Sequence, residues 1–280
     1  MSSKRLLLAV LCLINGLYSP AAAETVFLSA RSMGMGAVVT VLDDAATACT
    51  GIAALPAQTA ACTGIGYHNG FGIREIAVRE AFAVVPYRPR GTPIRWVAGI
   101  RMQHFGYPLY HETELGLAWA CRLLPKIPAG IRWDMAHVGS DEGRNTWHLS
   151  GALALQWHPT ETLVFGFLAS RLTLDDRTVL PLSCRYVRYR IGCGYRLSDQ
   201  TLCVAEWCRY DERVQRGTYH AGFEYQPSGL LTLRCGIVCD ATAAYSLGCT
   251  FRHAGWRLDM ASVSHNYLGQ HLSFTLCKEW

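Results

Sequence analysis

The stretch Thr146-Trp147-His148-Leu149-Ser150-Gly151-Ala152-Leu153-Ala154-Leu155-Gln156-Trp157 changes face at every residue. Trp147, Leu149, Gly151, Leu153, Leu155 and Trp157 fall on one side of an extended chain, and Thr146, His148, Ser150, Ala152, Ala154 and Gln156 on the other. At about 3.3 Å per residue and a tilt of about 40°, the path from Trp147 to Trp157 covers roughly 25 Å. That is the height of the apolar band of a membrane barrel, with a tryptophan at each edge.

The rhythm recurs on both sides. Thr113, Leu115, Leu117, Trp119, Cys121 and Leu123 oppose Glu114, Gly116, Ala118, Ala120 and Arg122; Val187, Tyr189, Ile191, Cys193 and Tyr195 oppose Arg188, Arg190, Gly192, Gly194 and Arg196. Segments around Tyr219 to Tyr225 and Tyr245 to Phe251 do the same. A soluble sandwich also alternates, so alternation alone leaves both architectures open. The polar face mixes glycine, small residues and arginine, which suits a crowded lumen better than an open solvated face.

Breakers such as His68-Asn69-Gly70, Gly106-Tyr107-Pro108, Pro125 to Gly130, His158-Pro159, Ser198-Asp199, Gln226-Pro227-Ser228 and His253-Ala254-Gly255 divide the chain into about 14 strands. The reading is an all-β, transmembrane antiparallel barrel. An even count puts both ends of the wall on the periplasmic side, so connections after even strands should be short. Those near Pro159, Asp199, Pro227 and Ala254 are tight, and the longest, Leu174 to Pro181, falls on the outer side. The turns near Arg90 and Pro128 fit less well.

Half of the residues are apolar and mean hydropathy is positive, at +0.12. Beyond the first residues no apolar run approaches the ~20 residues of a membrane helix. Lys4 and Arg5, the run Leu6 to Tyr18 and the small residues Ala21-Ala22-Ala23 have the three-part form of a secretory signal over residues 1–23. Val10 and Leu11 are too bulky for a lipobox before Cys12. Removing Cys12 from the twelve cysteines leaves eleven, an odd number, without metal-finger spacing; they read as small hydrophobes on strand faces. The formal net charge of +5 is carried mostly by arginine, and no Lys/Arg run interleaved with aromatics suggests nucleic acid.

One stretch does not alternate. Ser29 to Pro56 is small and flexible, and residues 24–58 read as a hatch for the barrel of residues 59–280. Within it, Ala30-Arg31-Ser32-Met33-Gly34-Met35-Gly36-Ala37, Leu42-Asp43-Asp44-Ala45 and Gly51-Ile52-Ala53-Ala54-Leu55 resemble the N-terminal segment of FadL-type fatty-acid transporters and the related PorV/PorQ-like proteins of Bacteroidota. His220 to Tyr225, Leu233 to Gly236, Leu258-Asp259 and His265 to Gly269 resemble their closing strands. The resemblance implies a 14-stranded outer-membrane barrel of a Gram-negative bacterium with the N-terminal segment inside or under it. Such proteins pass hydrophobic small molecules to the membrane or serve as accessory barrels for type IX protein secretion. Where the family has Asn-Pro-Ala-Gly-Leu, this chain has Gly51-Ile52-Ala53-Ala54-Leu55 and loses the Asn-Pro corner. The last strand, with Leu272, Phe274, Leu276, Lys278 and Trp280 on one face, resembles the C-terminal signal by which the barrel assembly machinery recognises its clients.

By strand parity the lumen holds Arg79, Arg95, Arg101, Arg122, Arg132, Arg188, Arg190, Arg196, Arg234, Arg252 and Arg257, with the acids Glu75, Glu114, Asp134, Glu224 and Asp259. Such an interior either attracts an anionic head group or packs as Arg–acid pairs that stiffen the barrel. Asp43 and Asp44 can pair with lumen arginines and pin the hatch, while Gly34 and Gly36 let its backbone run close to the wall; Gly51 and Leu55 mark its end. His111-Glu112 lacks a second histidine for zinc, and no serine has an elbow motif with triad partners. The sequence therefore implies no catalysis, metal or cofactor. Its expected partners are outer-membrane lipid and either a hydrophobic small molecule or a secreted protein. A soluble periplasmic sandwich is the third possibility.

Overall fold

The structure, a computed structural model, describes residues 28–88, 95–140, 145–173, 187–210, 217–240, 243–265 and 269–280. The expected signal peptide, Glu24 to Phe27 of the expected hatch and the Leu174 to Pro181 connection lie outside them. The described strands are β1 (Cys62–Gly70), β2 (Val78–Tyr87), β3 (Trp96–Tyr107), β4 (Tyr110–Leu124), β5 (Ile127–Ser140), β6 (Asn145–Trp157) and β7 (Leu163–Leu172). They continue with β8 (Arg188–Ser198), β9 (Thr201–Tyr210), β10 (Thr218–Tyr225), β11 (Leu231–Cys239), β12 (Ala243–His253), β13 (Trp256–His265) and β14 (Gly269–Glu279). Each pairs antiparallel with its sequence neighbours, and β1 pairs with β14 from Cys62↔Glu279 to Gly70↔His271, closing a barrel of fourteen strands among the described residues.

The wall is apolar on the outside. On β6, Trp147 is 64% exposed and Leu149 60%, whereas His148, Ala152, Ala154 and Gln156 are buried. Leu117, Trp119, Ile131, Trp133, Ile191 and Leu247 continue the exposed apolar surface around the barrel. In water such a surface would favour association, so a lipid solvent is its natural environment. No helix among the described residues is long and apolar enough to cross a membrane.

At the end of the barrel where β1 begins and β14 finishes, the proximal end, β4–β5, β8–β9 and β12–β13 are joined by two residues each: Pro125-Lys126, Asp199-Gln200 and Ala254-Gly255. The expected break from Pro125 to Gly130 is thus mostly strand. Arg122 pairs with Pro128 and Leu124 with Ile127, so Leu123 is an extra residue in the ladder. Pro128 donates no backbone hydrogen bond, and the bulge beside it lets the ladder pass.

Residues 28–58 lie inside the barrel. Two short helices, α1 (Ala30–Gly34) and α2 (Ala45–Gly51), and a 3-10 turn (Leu55–Ala57) shape the segment. Ser29 caps α1 by accepting from the Ser32 N–H, and Asp44 caps α2 by accepting from the Thr47 N–H. Val39, Ala48, Ile52 and Leu55 are fully buried against Val84, Val97, Ala118, Ala120, Ala152 and Ala154 of the wall. The alternating alanines of β4 and β6 share one buried cluster with these residues of the segment, where a larger side chain would compete for the same space.

Candidate functional site

At several points the wall offers polar side chains to the backbone of the N-terminal segment. The Gly36 N–H donates to Ser246 Oγ at 3.2 Å, and the Gly36 carbonyl lies 2.7 Å from His220 Nδ1. The Thr40 carbonyl accepts from Gln156 Nε2 at 2.7 Å. Glu206 Oε2 accepts from the Val39 N–H at 3.0 Å, the Thr40 N–H at 2.8 Å and Thr40 Oγ1 at 2.7 Å, while its other oxygen meets Arg190 at 2.6 Å. At the C-terminus of α2, Arg132 Nη1 donates to the carbonyls of Cys49 and Thr50, both at 2.9 Å, where the helix dipole favours a cation.

The closest approaches are made at glycines. A Cβ on Gly222 would lie 2.6 Å from the Met35 carbonyl oxygen, and one on Gly236 would lie 2.1 Å from the Gly36 nitrogen. The polar-face glycines are therefore seats for the segment's backbone, and the predicted close run of Gly36 along the wall is met by glycines on the wall itself.

The charged groups form closed networks. Arg31 binds Glu224 through two hydrogen bonds of 2.8 and 2.9 Å. Glu224 also accepts from Arg234, which reaches Asp259 at 3.3 Å; Asp259 meets Arg257 at 2.8 Å, Arg257 meets Asp44 at 3.4 Å, and Asp44 returns to Arg31 at 3.1 Å. Three cations and three anions alternate around one ring that joins the segment to β10, β11 and β13. Burial pushes the Asp44 carboxyl up, but Arg257 and Arg31 outweigh it and hold the group below its ordinary value. A second network joins Arg101, Glu114, Arg171, Arg132 and Asp134, and Arg101 also donates to Thr50 Oγ1 at 2.8 Å. Arg171 reaches it because a register shift between β6 and β7 sets that residue at φ 62°. Burial pushes the Cys49 thiol up to about 12, so it stays protonated.

The expected lumen residues separate into four groups. Arg101, Arg132, Arg190, Arg234, Arg257, Glu114, Asp134, Glu224 and Asp259 are gathered in the networks above. Arg188 and Arg252 are half-buried, the latter donating to Thr232 Oγ1 at 2.9 Å. Arg95 donates to the Gln58 carbonyl, and Arg122 and Arg196 line a gap at the proximal mouth. Arg79 and Glu75 are corrections. Arg79 pairs with the outward Tyr67 and is exposed, and Glu75 sits in an exposed turn before β2, because the breaker after Gly70 runs on to Ala77 and shifts the strand's parity. Asp43 pairs with Arg31 of its own segment at 2.8 Å, half-exposed, and not with a lumen arginine. Glu206 and Arg31 were missed. A glutamate among Leu202, Val204 and Cys208 on the face opposite Cys203, Ala205 and Trp207 was the available signal.

The gap is about 120 Å³, between the segment's Val41, Ala53, Ala54 and Pro56 and the wall's Leu163, Val164 and Leu202, with Arg122, His158 and Arg196 around it. A smaller cavity of about 30 Å³ lies among Thr50, Arg101, Glu114, Arg132 and Arg190. Among the described residues no group of His, Cys, Asp or Glu is arranged to hold a metal ion.

No protein-family model matches the chain, and no curated protein is significantly similar to it. Solved structures do share its fold. The toluene transporter TbuX of Ralstonia pickettii superposes with a TM-score of 0.68 at 12% identity over 90% of this chain and 98% of that one. The CymD monoaromatic hydrocarbon channel gives 0.66 at 13% over 92% and 99%, and a FadL homologue of Pseudomonas aeruginosa gives 0.63 at 11% over 93% and 99%. The likeness is one of fold, and it is to FadL-family channels.

Proposed function

We propose that the chain is an outer-membrane barrel that passes a small hydrophobic or amphipathic molecule, with residues 28–58 as its hatch and the proximal end facing the periplasm. The observation that carries this reading is the packing of residues 28–58 against the inward faces of the strands. A barrel plugged by its own N-terminal segment offers no open aqueous pore, while the gap beside Val41, Ala53 and Pro56 leaves an apolar edge along which a greasy solute can leave. The fold neighbours support it, being transporters and channels for toluene and monoaromatic hydrocarbons by name. An aromatic hydrocarbon and a fatty acid both suit such an edge. Arg122 and Arg196 at its rim favour a solute with an anionic head.

The test is uptake of labelled toluene and labelled oleate by cells that lack other carriers of these solutes. Expression of the chain raises uptake of at least one; an assembled barrel that raises neither excludes the reading. A second reading, a closed accessory barrel that docks a secreted protein, draws on the ion-pair networks that fasten the segment to the wall. A stable secreted-protein partner on pull-down, together with no uptake, would establish it instead.

A further inference from the structure

Across β1 to β6 the outward face changes character within one step of the ladder. Tyr67, Arg79, His104, Thr113, His137 and Trp147 sit directly opposite one another, strand to strand, in a single rung. Two residues nearer the proximal end, the corresponding rung is Ile65, Ala81, Met102, Leu115, Met135 and Leu149, entirely apolar. With strands about 4.8 Å apart, the polar ribbon runs roughly 24 Å around the wall.

The ribbon is joined and open. His104 Nδ1 lies 3.0 Å from Thr113 Oγ1, and the rings of His111 and His137 are 5.7 Å apart, with His137 4.5 Å from the Trp147 ring. Above Arg79 and His104 a groove of about 450 Å³ is lined also by Arg74, Glu75, Tyr107 and His111. Arg74 and Arg79 are exposed, and neither guanidinium has an ion-pair or hydrogen-bond partner among the described residues. Two exposed arginines lining one groove at the distal edge of an apolar belt match a phosphate in charge, and the rung beneath them matches hydrocarbon chains.

We propose that this ribbon binds the phosphate head group of a lipid in the surrounding distal leaflet, with Arg74 and Arg79 holding the phosphate and the acyl chains lying along Met102, Met135 and Leu149. The inference rests on the reading of the chain as a membrane barrel. An unspecialised interfacial girdle of aromatic residues would hold lipids without regard to their head group.

The full chain, purified in nonionic detergent, is titrated with dioleoyl phosphatidic acid and, separately, with dioleoylglycerol, which has the same chains and no phosphate, and retained lipid is counted by native mass spectrometry. The wild type retains the phosphatidic acid severalfold better. Arg74→Gln and Arg79→Gln each reduce that preference by about fivefold. Arg209→Gln, which removes an exposed arginine from β9 outside the ribbon, leaves it unchanged. Equal retention of both lipids, an undiminished preference in the double variant, or an equal loss in Arg209→Gln overturns the proposal. Solute uptake is followed on the wild type in parallel: no lipid selectivity with intact uptake sinks this site alone, and selective retention without uptake sinks only the transport reading. Recovery of the chain from cells without detergent overturns both.

Discussion

Arg31 and Glu224, 193 residues apart in sequence, are joined by two parallel hydrogen bonds of 2.8 and 2.9 Å inside the barrel. The pair closes the ring through Arg234, Asp259, Arg257 and Asp44, in which every buried charge faces opposite charges. Breaking one member is costlier than the pair is stabilising, because its partners remain buried.

Arg31→Gln leaves Glu224 and Asp44 facing each other with one cation fewer. The expected loss in docking of the segment is about 3–5 kcal/mol, and Arg31→Lys restores little of it because an ammonium cannot grip both Glu224 oxygens. The wall keeps its own ladder. The compact, heat-modifiable band on gels therefore persists, while limited proteolysis from the periplasmic side now cuts within residues 28–58.

The glycine seats give a test of the same docking that leaves charge untouched. Gly222→Val and Gly236→Val place side chains where Met35 and Gly36 run, at ideal Cβ distances of 2.6 and 2.1 Å from backbone atoms, so the segment must move off the wall. Gly151→Ala is the control, since its nearest neighbours lie at 3.7 and 3.8 Å. Proteolysis should expose the segment in the two valine variants and not in the control.

How much of this was legible in the sequence depends on the period of the signal. Alternation over Thr146 to Trp157 carried the strand, its outward face and the barrel, because a half-buried wall writes its two faces at every second residue. Arg79 was placed on the wrong face by the same rule. One added turn residue inverts a strand's parity, and nothing local in Phe71 to Ala77 marks where β2 begins. The segment inside the barrel has no period, so its partners are not readable: Glu206 holds Val39 and Thr40 across 167 and 166 residues of sequence. The sequence shows that the Gly51-Ile52 corner departs from the family pattern but not what form it takes. Ile52 sits at φ 56°, ψ −58°, with the Ala53 N–H donating to the Gly51 carbonyl, a strained three-residue turn for a branched side chain. Its side chain is fully buried, which offsets the strain.

Acid should release the segment only at low pH. Asp44 faces Arg31 and Arg257, with Asp43, Glu224 and Asp259 around them, and its carboxyl is held below the ordinary 3.8. A folded value below the unfolded one means that its contribution is complete above 3.8 and is lost as pH falls through the folded value. Protease protection should therefore be flat between about pH 7 and about pH 5 and decline only below the ordinary carboxylate range. Asp44→Asn should expose the segment at neutral pH.

The route past the segment can be decided by fastening it at one side or the other. An ideal Cβ on Gly194 lies 3.4 Å from Val41 Cβ, beside the gap, and one on Gly34 lies 3.6 Å from Ala261 Cβ, on the side of the charged ring. Both separations are near the about 3.5–4.5 Å of a disulfide, and peptide mass spectrometry identifies the bond among the native cysteines. The crowding at Gly194 comes from Val164 Cγ1, a side-chain end free to rotate. If solute leaves along the gap, Val41→Cys with Gly194→Cys closes it, and uptake should vanish under oxidising conditions and return with reductant. Gly34→Cys with Ala261→Cys should leave uptake unchanged, since the ring already fixes that side. Loss of uptake in the second variant alone would mean that the whole segment must swing away from β12 and β13, and that the gap beside Val41 is not the path.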